Sequence, residues 1–258
     1  MPSTPPRIRV KSAGKAATNG RATIDGIAVV NEMLLKLPAA ESDAIFDKLI
    51  FLPMRTYDVL HEPGETLKHA YFMNSGLTSI LSVMGDGKSV EVGLTGKEGF
   101  VGLPLIVGLT SGPTRAVVQI AGSAFRISAA DLMAALPQCP TLATRMQRFV
   151  QFLAMQGTQV AACNRLHEVD QRLSRWLLMC QDRIGSANVT LTQEFLAHML
   201  GTRRASVTIA ARHLQKAGLI TYRRGDVKIE SRDRLVAATC ECYSSMRRQT
   251  KSWQSESQ

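Results

Sequence analysis

The chain lacks any apolar run of about twenty residues, the length a helix needs to cross a bilayer, so no membrane-spanning helix is expected. Its N-terminus is basic but has no apolar core of the kind a secretion signal carries. Cysteine is sparse: Cys139, Cys163, Cys180, Cys240 and Cys242 are the 5 in 258 residues. An odd number without paired spacing builds no disulfide framework, and a reducing cytoplasm is the expected location. No glycine-rich phosphate loop and no Ser/His/Asp arrangement stands out, so the chain is not expected to be an enzyme, and no cofactor is expected. From Met1 to Arg21 there is no acidic residue and almost no large apolar one, so a disordered basic tail is expected over residues 1–25.

What is present is unevenly charged. The formal net charge is +10: Met1–Arg21 contributes +5, Ala22–Asn164 contributes −2 and Arg165–Gln258 contributes +7. A slightly acidic middle and a basic end fit a sensor joined to a nucleic-acid reader.

The most informative stretch is Leu191–Leu214, two short helices around a tight turn. Thr192 is placed to cap the first helix, with Glu194 in its first turn. Gly201 supplies the turn, and Thr202 is placed to cap the second helix. Ala197 is small where the helices approach. Val207, Ala210, Ala211 and Leu214 recur at three- and four-residue steps as one buried face. Arg203, Arg204, Ala205, Ser206, Thr208, Ile209 and Arg212 lie off that face, and with Thr192 and Thr202 they are the candidate DNA contacts. Gly218 stops the helix. Leu219–Tyr222 and Val227–Ile229 then read as a hairpin with a basic tip at Arg223 and Arg224, suited to phosphate. This is a winged helix-turn-helix.

Upstream, Ile27–Leu52 reads as helical in pieces. Pro53–Ile127 alternates short apolar runs with glycine turns, the pattern of a compact β sandwich or barrel. The runs include Tyr71–Met73, Leu77–Met84, Ser89–Leu94, Ala116–Ile120 and Ala124–Ile127, and Asp86-Gly87 marks a hairpin. Ser128 is placed to cap a short helix, Ala129–Leu136. A long helix follows from about Thr141. Leu142, Met146, Phe149, Leu153, Gln156, Val160 and Cys163 alternate four- and three-residue steps along it, a coiled-coil seam that predicts a parallel homodimer. Glu168–Ile184 and Arg232–Met246 read as further helices.

The fold class is thus α+β: an N-terminal double-stranded β-helix or jelly-roll sensor (26–137), a dimerisation helix (138–166), a C-terminal winged helix-turn-helix (167–248) and a polar tail (249–258). In that order these parts resemble the Crp/Fnr family of bacterial transcription regulators. The residues that carry the resemblance are Leu191–Glu194, Leu200-Gly201, Arg204, Val207, Leu214 and Gly218–Ile220, with Glu62–Glu65, Tyr71–Gly76 and Glu98–Gly102 in the β half. The resemblance implies a cyclic-nucleotide-binding-type sensor and a homodimer on a pseudo-palindromic site in double-stranded DNA. It also implies a role in recruiting or blocking RNA polymerase.

Departures from the family pattern concern the effector. Where cyclic-AMP-binding members carry Gly-Glu, this chain has Gly102 followed by Leu103-Pro104. A leucine accepts no hydrogen bond and a proline offers no N–H. Arg115 fits the family's phosphate arginine, but Ala116 follows it instead of a hydroxyl residue. Gly102, Leu103, Arg115 and Ala116 are the candidate ligand residues, and cyclic AMP is not expected to bind in the usual way. In the reading helix, Arg204 matches the family's guanine-reading arginine, while Ala205 and Ile209 replace its frequent glutamate and arginine.

Other readings remain open. Cys240-Glu241-Cys242 could bind metal or sense oxidation, although no partner pair is near in sequence, and the metal expectation is none. Residues 1–60 contain no cysteine, which disfavours the N-terminal iron–sulfur cluster of the family's oxygen sensors. A thiol-switched regulator, a ligand-independent one and a cupin-like metalloenzyme fused to a winged helix are the alternatives. His61 and His69 lack the paired spacing of a cupin metal site, and a haem-ligand role for either stays open.

Overall fold

The computed structural model describes residues 22–223 and 225–255. The expected disordered tail lies almost wholly outside them, as does Arg224. A small hairpin, β1 (Thr23–Ile24) and β2 (Ile27–Ala28), begins the described chain. The helix α1 (Glu32–Leu35) is capped by Asn31, whose side-chain oxygen accepts from the amides of Met33 and Leu34 at 3.1 and 3.2 Å. Pro38 then opens α2 (Ala39–Ile45).

The β domain consists of β3 (Ile50–Met54), β4 (Val59–His61), β5 (His69–Val83), β6 (Ser89–Thr95), β7 (Phe100–Val101) and β8 (Thr114–Ser128). The sheet order is β3-β8-β5-β6, with β4 added to β8 and β7 to β5, all antiparallel. The sequence predicts two strands where β5 runs unbroken, and two more where β8 does. Asn74-Ser75-Gly76 is a bend within β5 and not a turn. At the bend the two long strands cross so closely that a Cβ on Gly76 would lie 2.5 Å from the Ile120 carbonyl oxygen, and one on Gly122 would meet the Ser75 backbone. The ladder shifts register there. Glycine inside a strand here marks a bulge and a close backbone approach, which read in sequence as turns. The Gly85–Gly87 hairpin between β5 and β6 is as expected.

Ser128 caps α3 (Ala129–Ala135), its hydroxyl accepting from the Asp131 amide at 3.0 Å. The stalk helix α4 (Pro140–Leu166) follows. Its N-cap residue, Cys139, makes no side-chain cap. Glu41 of α2 does so from a distance: its two carboxylate oxygens accept from the amides of Thr141 and Leu142, each at 3.0 Å.

The expected dimer seam is corrected by the packing of α4. Leu142, Met146, Phe149, Leu153, Gln156, Val160 and Cys163 are all buried within the single chain. The Phe149 ring occupies the space a Cβ on Gly99 would need, Leu153 packs on Gly93, and the Gln156 side chain accepts from the Leu94 amide at 2.8 Å. The stripe therefore covers this chain's own β domain, and Cys163 ends it among other cysteines. Alternating four- and three-residue spacing marks a buried helix face without saying what buries it.

The C-terminal domain begins with α5 (Val169–Ile184), entered through a Glu168/Gln171 capping box and stopped by Gly185 at φ 70. After it come β9 (Asn188–Thr190), α6 (Gln193–Met199), α7 (Arg204–Lys216), β10 (Ile220–Arg223), β11 (Asp226–Ile229), α8 (Arg232–Ala237) and α9 (Glu241–Ser255). The wing has a third strand, β9, paired to β11. The single terminal helix it expected is two, and α9 runs through most of the expected polar tail. No helix among the described residues is long and apolar enough to cross a membrane.

One core fills the β domain against the first half of α4. A second joins α5, α6, α7 and the wing to Leu77, Leu81 and Leu94 of β5 and β6, so the two domains share apolar contacts.

Candidate nucleic-acid interface

The reading motif is held from below by its apolar face. Val207, Ala210, Ala211 and Leu214 are buried, and Ala197 lies under them on α6. Thr192 caps α6, its hydroxyl accepting from the Phe195 amide at 3.2 Å. Gly201 adopts φ 54 in the turn, and the Thr202 amide donates to the Ala197 carbonyl at 3.0 Å. Thr202 is not the cap of α7. That position is Arg203, whose side chain makes no cap bond, so the first amides of α7 have no side-chain cap. They are the groups a phosphate would meet at a helix N-terminus.

Above this base the structure places Arg203, Arg204, Ala205, Ile209 and Arg212 exposed, with Thr202, Ser206 and Thr208 partly covered. Thr208 is less free than its position suggests: its hydroxyl donates to the Gln193 side-chain oxygen at 2.8 Å. Gln193, at the start of α6, therefore belongs to the same surface, which spacing within α7 alone does not reveal. The wing is tied to the motif by Tyr222. Its hydroxyl donates to the Leu191 carbonyl at 2.9 Å, and its amide donates to the Gln215 side chain at 2.8 Å. Burial pushes the Tyr222 phenol up to about 12, against the opposing charge of nearby Arg204. Arg223 is exposed beside the wing turn, opposite Asp226 in the ladder. The result is an exposed cationic helix flanked by a basic hairpin, the arrangement that reads major-groove edges while holding phosphates.

The motif rests on the β domain. Val90 packs against the Gly201 turn, Phe195 meets Tyr57 edge-on with ring centroids 5.4 Å apart, and Ser89 lies 3.4 Å from His198 Nδ1.

The candidate effector residues lie at the two ends of the loop that crosses from β7 to β8, Gly102 and Leu103 where it leaves β7 and Arg115 and Ala116 at the start of β8. Gly102, at φ 107, opens a short 3-10 turn over Leu103–Val107, and Leu103 is half-buried there. Ala116 is fully buried in β8 opposite Ile80. Arg115 is engaged by Glu62, its Nε donating to the carboxylate at 2.7 Å. The loop is fastened between them by amide bonds from Gly64 to the Gly112 carbonyl and from Leu67 to the Thr110 carbonyl, at 2.8 and 2.7 Å. Beside it, His61, Glu65, Lys68, His69 and Tyr71 line a recess of about 120 Å³.

Residues 171–238 match the model of the Crp-like helix-turn-helix domain. No curated protein matches the chain in sequence. Among solved structures, a transcriptional regulator of the Crp/Fnr family from Eubacterium rectale superposes with TM-score 0.64 at 17% identity, covering 80% of this chain and 97% of that one. The c-di-GMP-responsive global regulator CLP of Xanthomonas campestris gives 0.63 at 18% identity, covering 75% and 100%. FixK2 of Bradyrhizobium japonicum gives 0.64 at 15% identity, covering 74% and 98%. The chain thus joins a Crp-like helix-turn-helix domain to a β-roll and stalk helix in the fold of the Crp/Fnr regulators.

Proposed function

We propose that this protein is a sequence-specific, DNA-binding transcription regulator that acts in the cytoplasm as a homodimer on a pseudo-palindromic operator. The observation that carries this reading is the division of α7. One side is buried on α5 and α6, and the other presents Arg203, Arg204 and Arg212 to solvent beside a wing. Selection of binding sites from random duplex DNA tests it: a two-fold consensus with a steep salt dependence is expected. A protein that binds no duplex at low ionic strength overturns it. RNA polymerase is the partner such a regulator acts on.

The dimer forms through the outward face of α4. Thr144, Arg148, Gln151, Met155, Thr158 and Ala162 alternate four- and three-residue steps, and all are exposed. Met155 is 42% exposed, an apolar side chain at the middle of that line. Two chains paired this way would carry two copies of α7 related by a two-fold axis.

The effector is not cyclic AMP bound in the family's usual way. Leu103-Pro104 offers no acceptor for a ribose hydroxyl, and Glu62 already neutralises Arg115. Titration calorimetry checks this, and submillimolar cyclic AMP binding that disappears in Arg115→Ala would contradict it.

A further inference from the structure

Where α4 ends, the fold assembles a side-chain cluster whose members are far apart in sequence. Cys163 lies on the last turns of α4 and His167 one turn on, at its C-terminal cap. Cys240 and Cys242 stand at the head of α9. One ligand atom from each lies within 4.8 Å of every other. The three cysteines are buried and the imidazole is mostly covered. In sequence Cys240 and Cys242 have no partner pair nearby. In the structure Cys240 precedes the helix, both thiols turn inward, and α4 brings the partners.

Two of the separations match the edges of a metal tetrahedron. Zinc binds thiolate at about 2.3 Å and imidazole at about 2.0–2.1 Å, so a regular site has edges of about 3.8 Å between sulfurs and about 3.6 Å between sulfur and nitrogen. Here Cys163 Sγ and Cys240 Sγ are 3.6 Å apart, and Cys242 Sγ and His167 Nδ1 are 3.6 Å apart. We propose that Cys163, His167, Cys240 and Cys242 form a closed structural zinc site, three thiolates and one imidazole nitrogen, that fastens the foot of the stalk helix to the last helix of the winged domain.

The surroundings fit that ion. His167 offers Nδ1 to the cluster while its Nε2 lies 3.2 Å from the Glu241 carboxylate, the outer-shell partner that fixes the tautomer of a zinc-bound histidine. Gln159 Nε2 donates to Cys242 Sγ at 3.1 Å, and the N-terminus of the fifteen-residue α9 favours thiolate at Cys240 and Cys242. Three thiolates around Zn²⁺ leave one net negative charge. Arg172 and Arg175 of α5 are buried next to it, and each has an Nε without a hydrogen-bond partner. Their charge acts on Cys163, and neither forms a salt bridge with a carboxylate among the described residues. Soft sulfur ligands in a four-coordinate set select zinc over calcium or magnesium, and four protein ligands leave no open position for catalysis.

Full-length protein purified under reducing, oxygen-free conditions should carry one zinc ion per chain by elemental analysis. Replacing the zinc with Co²⁺ should give intense thiolate-to-cobalt charge-transfer bands and the visible spectrum of a tetrahedral centre. Cys240→Ser combined with Cys242→Ser should abolish both. Glu241→Gln, which removes no ligand, should lose zinc to a competing chelator about tenfold more readily. If the double serine variant does not fold, His167→Ala and Glu241→Gln, with circular dichroism to establish folding, decide the matter alone. Reduced protein that neither holds zinc nor gives the cobalt spectrum overturns the proposal. So does a zinc content unchanged in His167→Ala, or a Cys163–Cys240 disulfide in place of metal.

Discussion

The Trp176 indole N–H donates to the Glu91 carboxylate across 3.1 Å, and that bond joins the winged domain to the β domain: Trp176 is on α5 and Glu91 on β6. The Ser79 hydroxyl donates to the same carboxylate at 2.7 Å. Glu91 is nevertheless buried deeply enough that desolvation pushes its pKa up to about 7, against these hydrogen bonds and the charges of Arg175 and Arg183. Between its unfolded value of 4.5 and about 7 the folded chain holds the extra proton, so stability falls as pH rises through that window and levels off above it. The difference amounts to about 2–4 kcal/mol. Denaturant unfolding at pH 5 and pH 8 should show this loss in the parent protein. Glu91→Gln, which keeps an acceptor oxygen for the Trp176 N–H and has no proton to lose, should show a loss smaller by that amount. Equal pH dependence in the two proteins would rule out Glu91 as the source.

Arg204 and Arg223 are expected to behave differently on DNA. Arg204→Ala should cost about 1–3 kcal/mol of operator binding and relax one base position in a site selection. Arg223→Ala should weaken all sequences alike and reduce the salt slope by about one. An unchanged consensus without Arg204 would remove it as a base-reading residue.

Met155→Glu places a charge in the middle of the outward face of α4. Sedimentation should then show single subunits, with circular dichroism unchanged because Met155 lies on the exposed side of α4. Leu153→Ala, two residues away but buried on Gly93, should instead destabilise the fold by about 2–5 kcal/mol without altering subunit association. A reversal of these two outcomes would restore the inward stripe as the pairing surface.

Gly99→Ala tests the seat of the stalk helix. The added methyl would overlap the Phe149 ring, which touches Phe100 and Phe152 at centroid distances of 5.7 and 5.9 Å and has little room to withdraw. A loss of about 1–3 kcal/mol in chemical denaturation is expected.

The winged helix-turn-helix was legible because its signals are local. A threonine cap, a glycine at positive φ and an apolar face at helical spacing lie within a few residues of one another, and each is read without knowing the rest of the fold. Long-range features were not legible in the same way. Gly76 and Gly122 look like turn residues because what they accommodate is the other strand's backbone. The stripe from Leu142 to Cys163 states that α4 has a buried face, but the choice between a partner and its own β domain rests on contacts with Gly93, Leu94 and Gly99, which are distant in sequence. Gln193 entered the candidate interface only through its bond to Thr208. Thr202 was misplaced by one residue because a threonine before a helix resembles a cap whether or not its hydroxyl is used.

Glu41 gives the segment ahead of the β-roll a use that its short, broken helices conceal. By accepting from Thr141 and Leu142 across about a hundred residues of chain, it works as a bolt through the top of the stalk. Trimming the protein to begin at the first roll strand would draw that bolt. Two backbone donors at the upper end of α4 would then lack their acceptor, and a shortened version made for convenience would carry a frayed stalk.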